Sequence, residues 1–323
     1  MWLWASRRNL GTTWPTFVLA STIILIVVGA VMGEQIPGIC VIASVLTVLM
    51  LGFWSAALAA SLRIHRLWRH LDRYATTLGG RLETLTYSAR PGGILIARGQ
   101  AGLSRTVITL PSGVRIGDWE YLRRGTQPGT NAAYTWGYIS IPLAAAVPHL
   151  VLDSRRNQRV SAIGAGADLR RSQIISLEGD FDRHFTVYSP EGYGADALYF
   201  LTPDVMRDLI DVATDWDVEF IDDEVVFFRP GPILKADDAA LDRLVAFAAR
   251  WTQRAVAWSH WRDPRLDSTP RIDSHGLLVS PASGIHHSGA RLDDSRLATI
   301  GIGVSIVLVV GMCAWTIIDM LQR

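Results

Sequence analysis

The chain has 323 residues, a formal net charge of +1 and a positive mean hydropathy of +0.22. So even a charge balance predicts no polyanion-binding surface of the kind nucleic acid requires, and the apolar content of 49% is high for a wholly soluble protein. Both cysteines, Cys40 and Cys313, fall in apolar runs, which leaves the polar part without a disulfide framework or a thiolate metal site.

Three runs carry no charged residue: Thr13 to Gly33, Gly38 to Ala60 and Leu297 to Ile318. Each is about 20 residues, or ~30 Å as helix, enough to cross the hydrocarbon of a bilayer. Trp14, Trp54 and Trp315 lie near the run ends, where indole rings favour the interface. The first two runs predict a membrane hairpin turning at Glu34-Gln-Ile-Pro37 rather than a cleaved leader, because no small-x-small site precedes Glu34. Arg7 and Arg8 precede the first run, and Arg63, Arg66, Arg69 and Arg73 follow the second. By the positive-inside rule the N-terminus and the large middle region face the cytoplasm of a multi-pass plasma-membrane protein, and the C-terminus lies outside.

The segment from Ser61 to Leu78 continues helically, with Leu62, Leu67, Leu71, Tyr74 and Leu78 at helical spacing and the arginines on another face, until Gly79-Gly80. Short β-type runs follow at Leu82–Tyr87, Ile94–Arg98, Val107–Leu110, Val114–Trp119, Tyr134–Ile141 and His149–Leu152, separated by turns such as Pro91-Gly-Gly93 and Pro111-Ser-Gly113. Gln173–Leu177 and Ala197–Leu201 also read as strands. Thr202-Pro203-Asp204 is a helix start: hydroxyl N-cap, proline at N1, carboxylate at the positive end of the dipole. Asp217–Ile221 and Val225–Arg229, around Asp222-Asp-Glu224, predict a hairpin, and Asp238 to Arg262 a long amphipathic helix covering the sheet. Asp263 to Ser295, rich in Ser, Pro, Gly and Asp, predicts a flexible linker with a coil span of roughly 30 Å. The expected fold is therefore an α+β cytoplasmic domain of mostly antiparallel strands with two or three helices, attached to three transmembrane helices. Its parts are an N-terminal segment and hairpin (1–60), the α+β domain (61–262), the linker (263–295) and a C-terminal membrane helix (296–323).

One stretch invites a chemical reading. In LEGDFDRHFTVY, residues 177–188, Asp180, Asp182 and His184 alternate, and on a straight strand they would share one face. Carboxylates beside an imidazole bind divalent metals or activate water, so these three are the candidate catalytic residues. Against that, Gly179-Asp180 is a turn dipeptide and no second ligand cluster or nucleophile motif is present. The favoured reading is a polar turn between two strands with Phe181, Phe185, Val187 and Tyr188 as core anchors. No cofactor motif survives inspection either: Gly164-Ala-Gly166 lacks the third glycine of a dinucleotide loop, and Asp215-x-Asp217-x-Glu219 fails the calcium-loop pattern at Phe220 and Val226. His275, His286 and His287 sit in the low-complexity linker and predict no metal site. Residues 177–228 hold fourteen Asp and Glu against Arg183 and Arg207, which predicts an acidic face able to dock a basic envelope or membrane protein, or the chain's own arginine-rich helix.

The stretch LEGDFDRHFTVYSPEGYGADALYFLTPDVM, the segment Val218–Phe228, and the run from Trp136-Gly-Tyr138 to Pro148-His-Leu-Val-Leu-Asp153 resemble a family of uncharacterised actinobacterial membrane proteins. They are also similar to a broader bacterial domain in which LEGDF…VY…LTPD recurs. The resemblance implies a membrane hairpin with an α+β cytoplasmic domain and brings no activity, cofactor or catalytic residue. Three functions are thus set against one another: a membrane-anchored cytoplasmic binding or scaffold module, a membrane-bound hydrolase using Asp180, Asp182 and His184, and a transporter or channel accessory subunit. The absence of Asp, Glu, Lys or Arg within the three runs disfavours the last. The sequence leans away from an enzyme.

Overall fold

The computed structural model describes residues 37–86, 93, 102–124, 131–157, 169–266, 271–272, 278–279 and 284–292. It divides into two units, 1–78 and 79–323. The boundary falls after the arginine-bearing helix, not at residue 60, because the second apolar run and the arginine segment form one uninterrupted helix, α1 (Pro37–Thr77). Proline suits the first turn of a helix, where its missing N–H costs nothing. Gly79, with φ at +68°, takes the left-handed conformation that ends it. Among the described residues α1 is the one helix long and apolar enough to cross a membrane, and none of its apolar window is buried inside the molecule. The first and third apolar runs, 13–33 and 297–318, and the hairpin turn before Pro37 lie outside the described residues, as does the expected strand 94–98.

The second unit is an α+β fold: among the described residues it has a seven-stranded, antiparallel sheet and three α-helices. The strands are β1 (Arg81–Thr86), β2 (Gly102–Thr109), β3 (Arg115–Arg124), β4 (Asn131–Ser154), β5 (Ile174–Ile175), β6 (Phe185–Tyr188) and β7 (Asp217–Pro230). β1, β2, β3 and β4 form a meander, and β6 then β5 continue from the far half of β4. The opposite edge of β4 pairs with β7 along most of its length, from Gly137 opposite Arg229 to Leu152 opposite Val218. The two strands expected at 134–141 and 149–152 are therefore one strand, bent at a bulge between Pro142 and Leu150. The expected hairpin at Asp222-Asp-Glu224 is likewise absent. β7 runs straight through these residues, and Asp222, at φ +51°, turns the strand where β4 bulges. Both misreadings have one cause: a bend in a long strand pair places polar residues mid-strand, as a turn would.

Residues 194–200 form a short helix, α2 (Gly194–Phe200), not a strand. Ala197 and Phe200, three apart, are buried while Leu198 and Tyr199 face out, which is helical spacing. α3 (Pro203–Val212) starts at the expected Thr202-Pro203 signal and buries Val205, Met206 and Leu209. α4 (Asp238–Trp258) is capped by the Asp237 carboxylate, which accepts the Ala239 N–H at 3.1 Å. Its buried stripe of Leu241, Leu244, Ala248, Trp251, Ala255 and Trp258 covers one face of the β4–β7 pair. Trp251 packs on Phe227 with ring centroids 5.0 Å apart, and Trp258 on Phe220 at 4.9 Å. The other face carries a second cluster around Trp119, Tyr121, Trp136, Tyr138, Val151, Val226 and Phe228, closed in part by Leu292.

Leu292 overturns the expectation of a wholly flexible linker. Residues 284–292 form a strap lying on the sheet unit, and 271–272 pairs with 278–279 as a two-stranded ribbon, β8 and β9. Low-complexity composition predicted a coil because the segment has little apolar surface of its own. Its anchors are hydrogen bonds to His149 and Asp222 of the sheet and to Asp263 beyond α4.

Candidate functional site

The expected motif is a turn between two strands, β5 and β6, which pair antiparallel. β5 stops at Ile175, Gly179 turns at φ +75°, and Phe181–Arg183 is a single 3-10 turn before β6. That turn abolishes the alternation on which a shared face depended. The Asp182 carboxylate is turned inward on the loop, accepting the Leu177 N–H at 3.1 Å and the Ser176 hydroxyl. His184 Nε2 reaches the Asp180 carboxylate at 3.9 Å on the exposed side. The structure thus brings Asp180 and His184 near one another and assigns Asp182 to the loop. Among the described residues no group of three or more His, Cys, Asp or Glu side chains is arranged to hold a metal. Phe181 and Phe185 are buried and stacked at 5.1 Å. Phe185→Ala is expected to cost about 3–5 kcal/mol, the usual range for a buried aromatic, whereas Asp180→Asn stays within about 0.5 kcal/mol. Urea melts of the two variants side by side check the ranking, and a costlier Asp180 change would place that carboxylate in a buried pair.

The acidic face of residues 177–228 is partly neutralised from within. Six of its carboxylates bind arginines lying outside the segment: Asp196 with Arg265, Asp204 with Arg254, Asp208 with Arg250 and Arg254, Asp215 with Arg156, Asp222 with Arg291, and Glu224 with Arg115. Asp217 and Glu219 are buried in β7. A local excess of acid in the sequence therefore becomes a set of structural ion pairs.

A buried polar group lies where β4, β7 and the strap meet. His149 of β4 and Glu219 of β7 are diagonal neighbours on one face of the sheet, both buried, with His149 Nε2 to Glu219 Oε1 at 2.6 Å. The other ring nitrogen, Nδ1, accepts the Leu292 N–H of the strap at 2.9 Å. An accepting Nδ1 carries no proton, so in the neutral ring the proton sits on Nε2 and is donated to Glu219. Gly93 lies against the same carboxylate: a Cβ there would fall 2.2 Å from it, so no larger residue fits without displacing Glu219. Arg291, next to Leu292, grips Asp222 through both guanidinium nitrogens at 2.8 and 2.9 Å. That guanidinium holds the Asp222 carboxyl below the usual range, against the burial that would raise it.

At its other end the strap is tied to Asp263. One carboxylate oxygen accepts the Tyr193 hydroxyl at 2.6 Å and the His286 N–H at 3.0 Å, and the other accepts the Arg265 N–H at 2.9 Å and its guanidinium at 3.1 Å. Burial opposes the charge on Asp263, but these donors outweigh it and hold the carboxyl below its ordinary value. Arg265 also stacks over the Tyr193 ring at 3.7 Å and pairs with Asp196. Burial and the Asp263 carboxylate push the Tyr193 hydroxyl up to about 12.

A third buried carboxylate, Asp118 on β3, accepts the Ile233 N–H at 2.7 Å where the chain leaving β7 crosses the sheet. Gly137 allows that crossing, since a Cβ there would meet Ile233 at 2.2 Å. Burial pushes the Asp118 carboxyl up from 3.8 to about 7, with the Ile233 and Leu234 amides and Arg105 and Arg229 pulling the other way. The folded state thus keeps a proton that the unfolded chain releases above about pH 4. From Asp118 alone, stability falls as pH rises from about 4 to about 7 and is level beyond. Asp118→Asn keeps an acceptor and removes the titration, so its melting temperature relative to wild type should climb across that window. A constant difference would show Asp118 to be ionised throughout.

His149, Glu219, Asp263 and Arg291 were not singled out as site residues from the sequence. The visible signal was slight: His149 and Glu219 each interrupt an apolar strand run, PHLVLD and DVEFID. What the arrangement does chemically is fasten the strap: His149 accepts from Leu292, Asp222 from Arg291 and Asp263 from His286. Comparison with models of protein families, with curated proteins and with solved structures finds no match to any of them, so the resemblance noted from the sequence rests on the quoted residues alone.

Proposed function

We propose that the protein is a membrane-anchored binding or scaffold module whose α+β unit works at the cytoplasmic face of the plasma membrane. The observation that carries this reading is α1. Its exposed large apolar side chains run from Val45 to Leu62 and include Val48, Leu49, Leu51, Phe53 and Leu58. Such a surface in water would be unfavourable by roughly 25 cal/mol per Å². Lipid covers it at no such cost. The same helix then passes without a break into four exposed arginines, the pattern of a cytoplasmic flank. The first and third apolar runs add two further spans in this reading and put the C-terminus outside.

Binding is favoured over hydrolysis because Asp182 is committed to its loop and the His149–Glu219 pair is closed from solvent by the strap. A partner in the envelope or membrane is the expected occupant. The test is a pair of export-dependent reporters with crosslinking in native membranes. A reporter at Gly129 should stay silent, one after Arg323 should be active, and crosslinking from the α+β unit should yield discrete adducts. An active reporter at Gly129 would overturn the orientation, and a purified protein that turns over ester or phosphoester substrates, losing this in His184→Ala, would overturn the binding reading.

A further inference from the structure

We infer that Arg63, Arg66 and Arg69 form a binding surface for the phosphate groups of anionic lipids, graded by depth along α1. This rests on the reading of α1 as a membrane span. Residues 63, 66, 69 and 73 are separated by three, three and four positions, which places the four arginines on one side of the helix within an arc of about 120°. All four are exposed, and none makes a salt bridge among the described residues. The buried residues of this part of the helix, Leu71 and Ala75, lie on the opposite side. The other ionisable groups on α1 are Asp72, off the edge of the arc, His70 within it, and His65, whose ring packs edge-on against Trp68 at 5.7 Å. The stripe is thus a strongly positive surface whose counter-charge is not supplied by its own helix.

Depth follows from the rise of 1.5 Å per residue. The exposed apolar surface of α1 ends at Leu62, and Arg63 is its first charged side chain. With the hydrocarbon edge there, Arg66 lies about 4.5 Å further out, Arg69 about 9 Å and Arg73 about 15 Å. The headgroup layer is roughly 5–8 Å thick on each side. Arg63 and Arg66 therefore stand at the level of the phosphates, where a guanidinium binds two oxygens at once. Arg69 sits at the outer edge, within the ~8 Å over which physiological salt leaves a surface charge felt. Arg73 lies beyond the layer and serves as the internal control. The ligand chemistry is a phosphodiester on a lipid with net negative charge, because a zwitterionic headgroup brings its own cation to each phosphate.

The experiment uses the full chain reconstituted in bilayers of phosphatidylcholine, with spin-labelled phosphatidylglycerol or phosphatidylcholine as probe. It reads the association of the first lipid shell. Wild type should favour phosphatidylglycerol several-fold. Arg63→Gln and Arg66→Gln should each lower the preference by up to about fivefold, the effect of about 1 kcal/mol per basic residue near a charged surface, while Arg73→Gln leaves it nearly unchanged. Excess inorganic phosphate should not compete, since the lipid is held at the arginines by its own tails. Resistance to alkaline extraction is measured on the same samples. A protein that resists extraction but shows no preference for phosphatidylglycerol overturns this inference and leaves the anchor standing. A protein that is extracted overturns the anchor itself. An Arg73→Gln loss equal to that of Arg63→Gln overturns the depth assignment, and displacement by inorganic phosphate assigns the surface to a soluble anion instead.

Discussion

Glu219→Ala is expected to destabilise the α+β unit by about 3–5 kcal/mol, because it leaves a buried donor unsatisfied, at about 1–3 kcal/mol, and truncates a buried side chain, which costs about 2–5 kcal/mol for apolar chains of similar size. The alanine leaves His149 Nε2–H without its acceptor at a site closed to water, and it opens a space beside Gly93. Glu219→Gln keeps an oxygen for the imidazole proton and should cost much less, about 1–2 kcal/mol. His149→Ala removes more than its own contacts, because the Leu292 N–H loses its acceptor and the strap its attachment. For a unit of this size each kcal/mol moves the melting point by roughly 2–4 °C, so Glu219→Ala should melt about 10 °C below wild type in the same detergent. A loss under 1 kcal/mol would mean that water reaches the pair.

Asp263→Ala is expected to free the strap. Four donors converge on this carboxylate, from Tyr193, His286 and, twice, Arg265, and its side chain is buried. Without it the His286 N–H is left unpaired, at about 1–3 kcal/mol, and the Tyr193 hydroxyl keeps only Ser288 as a side-chain partner. Gly289, packed so close to the Tyr193 ring that a Cβ would lie 2.4 Å from it, loses the surface that shapes it. The measurement is limited proteolysis of the intact protein: cleavage between 266 and 292 should accelerate at least tenfold, while cleavage within the sheet changes little. Asp263→Asn, which still accepts on one side, should fall between. Because the carboxyl is held below its ordinary value, its contribution is present at neutral pH and is lost as pH falls through the folded-state value. Wild type in acid should therefore begin to resemble the alanine variant. If proteolysis of Asp263→Ala matches wild type, the strap is held by Arg291 and Leu292 alone.

The sequence by itself determined the local elements whose signal lies within a few residues. α1 through the arginine segment, the Gly79 stop, the Thr202-Pro203 start of α3, the stripe of α4 and the antiparallel α+β class were all legible, because propensity, capping and periodicity act over one or two turns. Phe181 and Phe185 were legible as core residues for the same reason. Only the tertiary structure decided what depends on distant partners. Pro142 to Leu150 and Asp222 to Glu224 look like turns until β4 and β7 are seen to bend together, since a bulge in a paired strand and a loop use the same residues. Which six of the fourteen acidic residues of 177–228 are paired, with arginines from 115, 156, 250, 254, 265 and 291, is likewise set by distant partners. His149 and Glu219 are 70 positions apart, and Leu292 is 143 positions from His149. A hydrogen bond is made by atoms within about 3 Å in space, whatever their separation along the chain, and no local pattern of residue types encodes it.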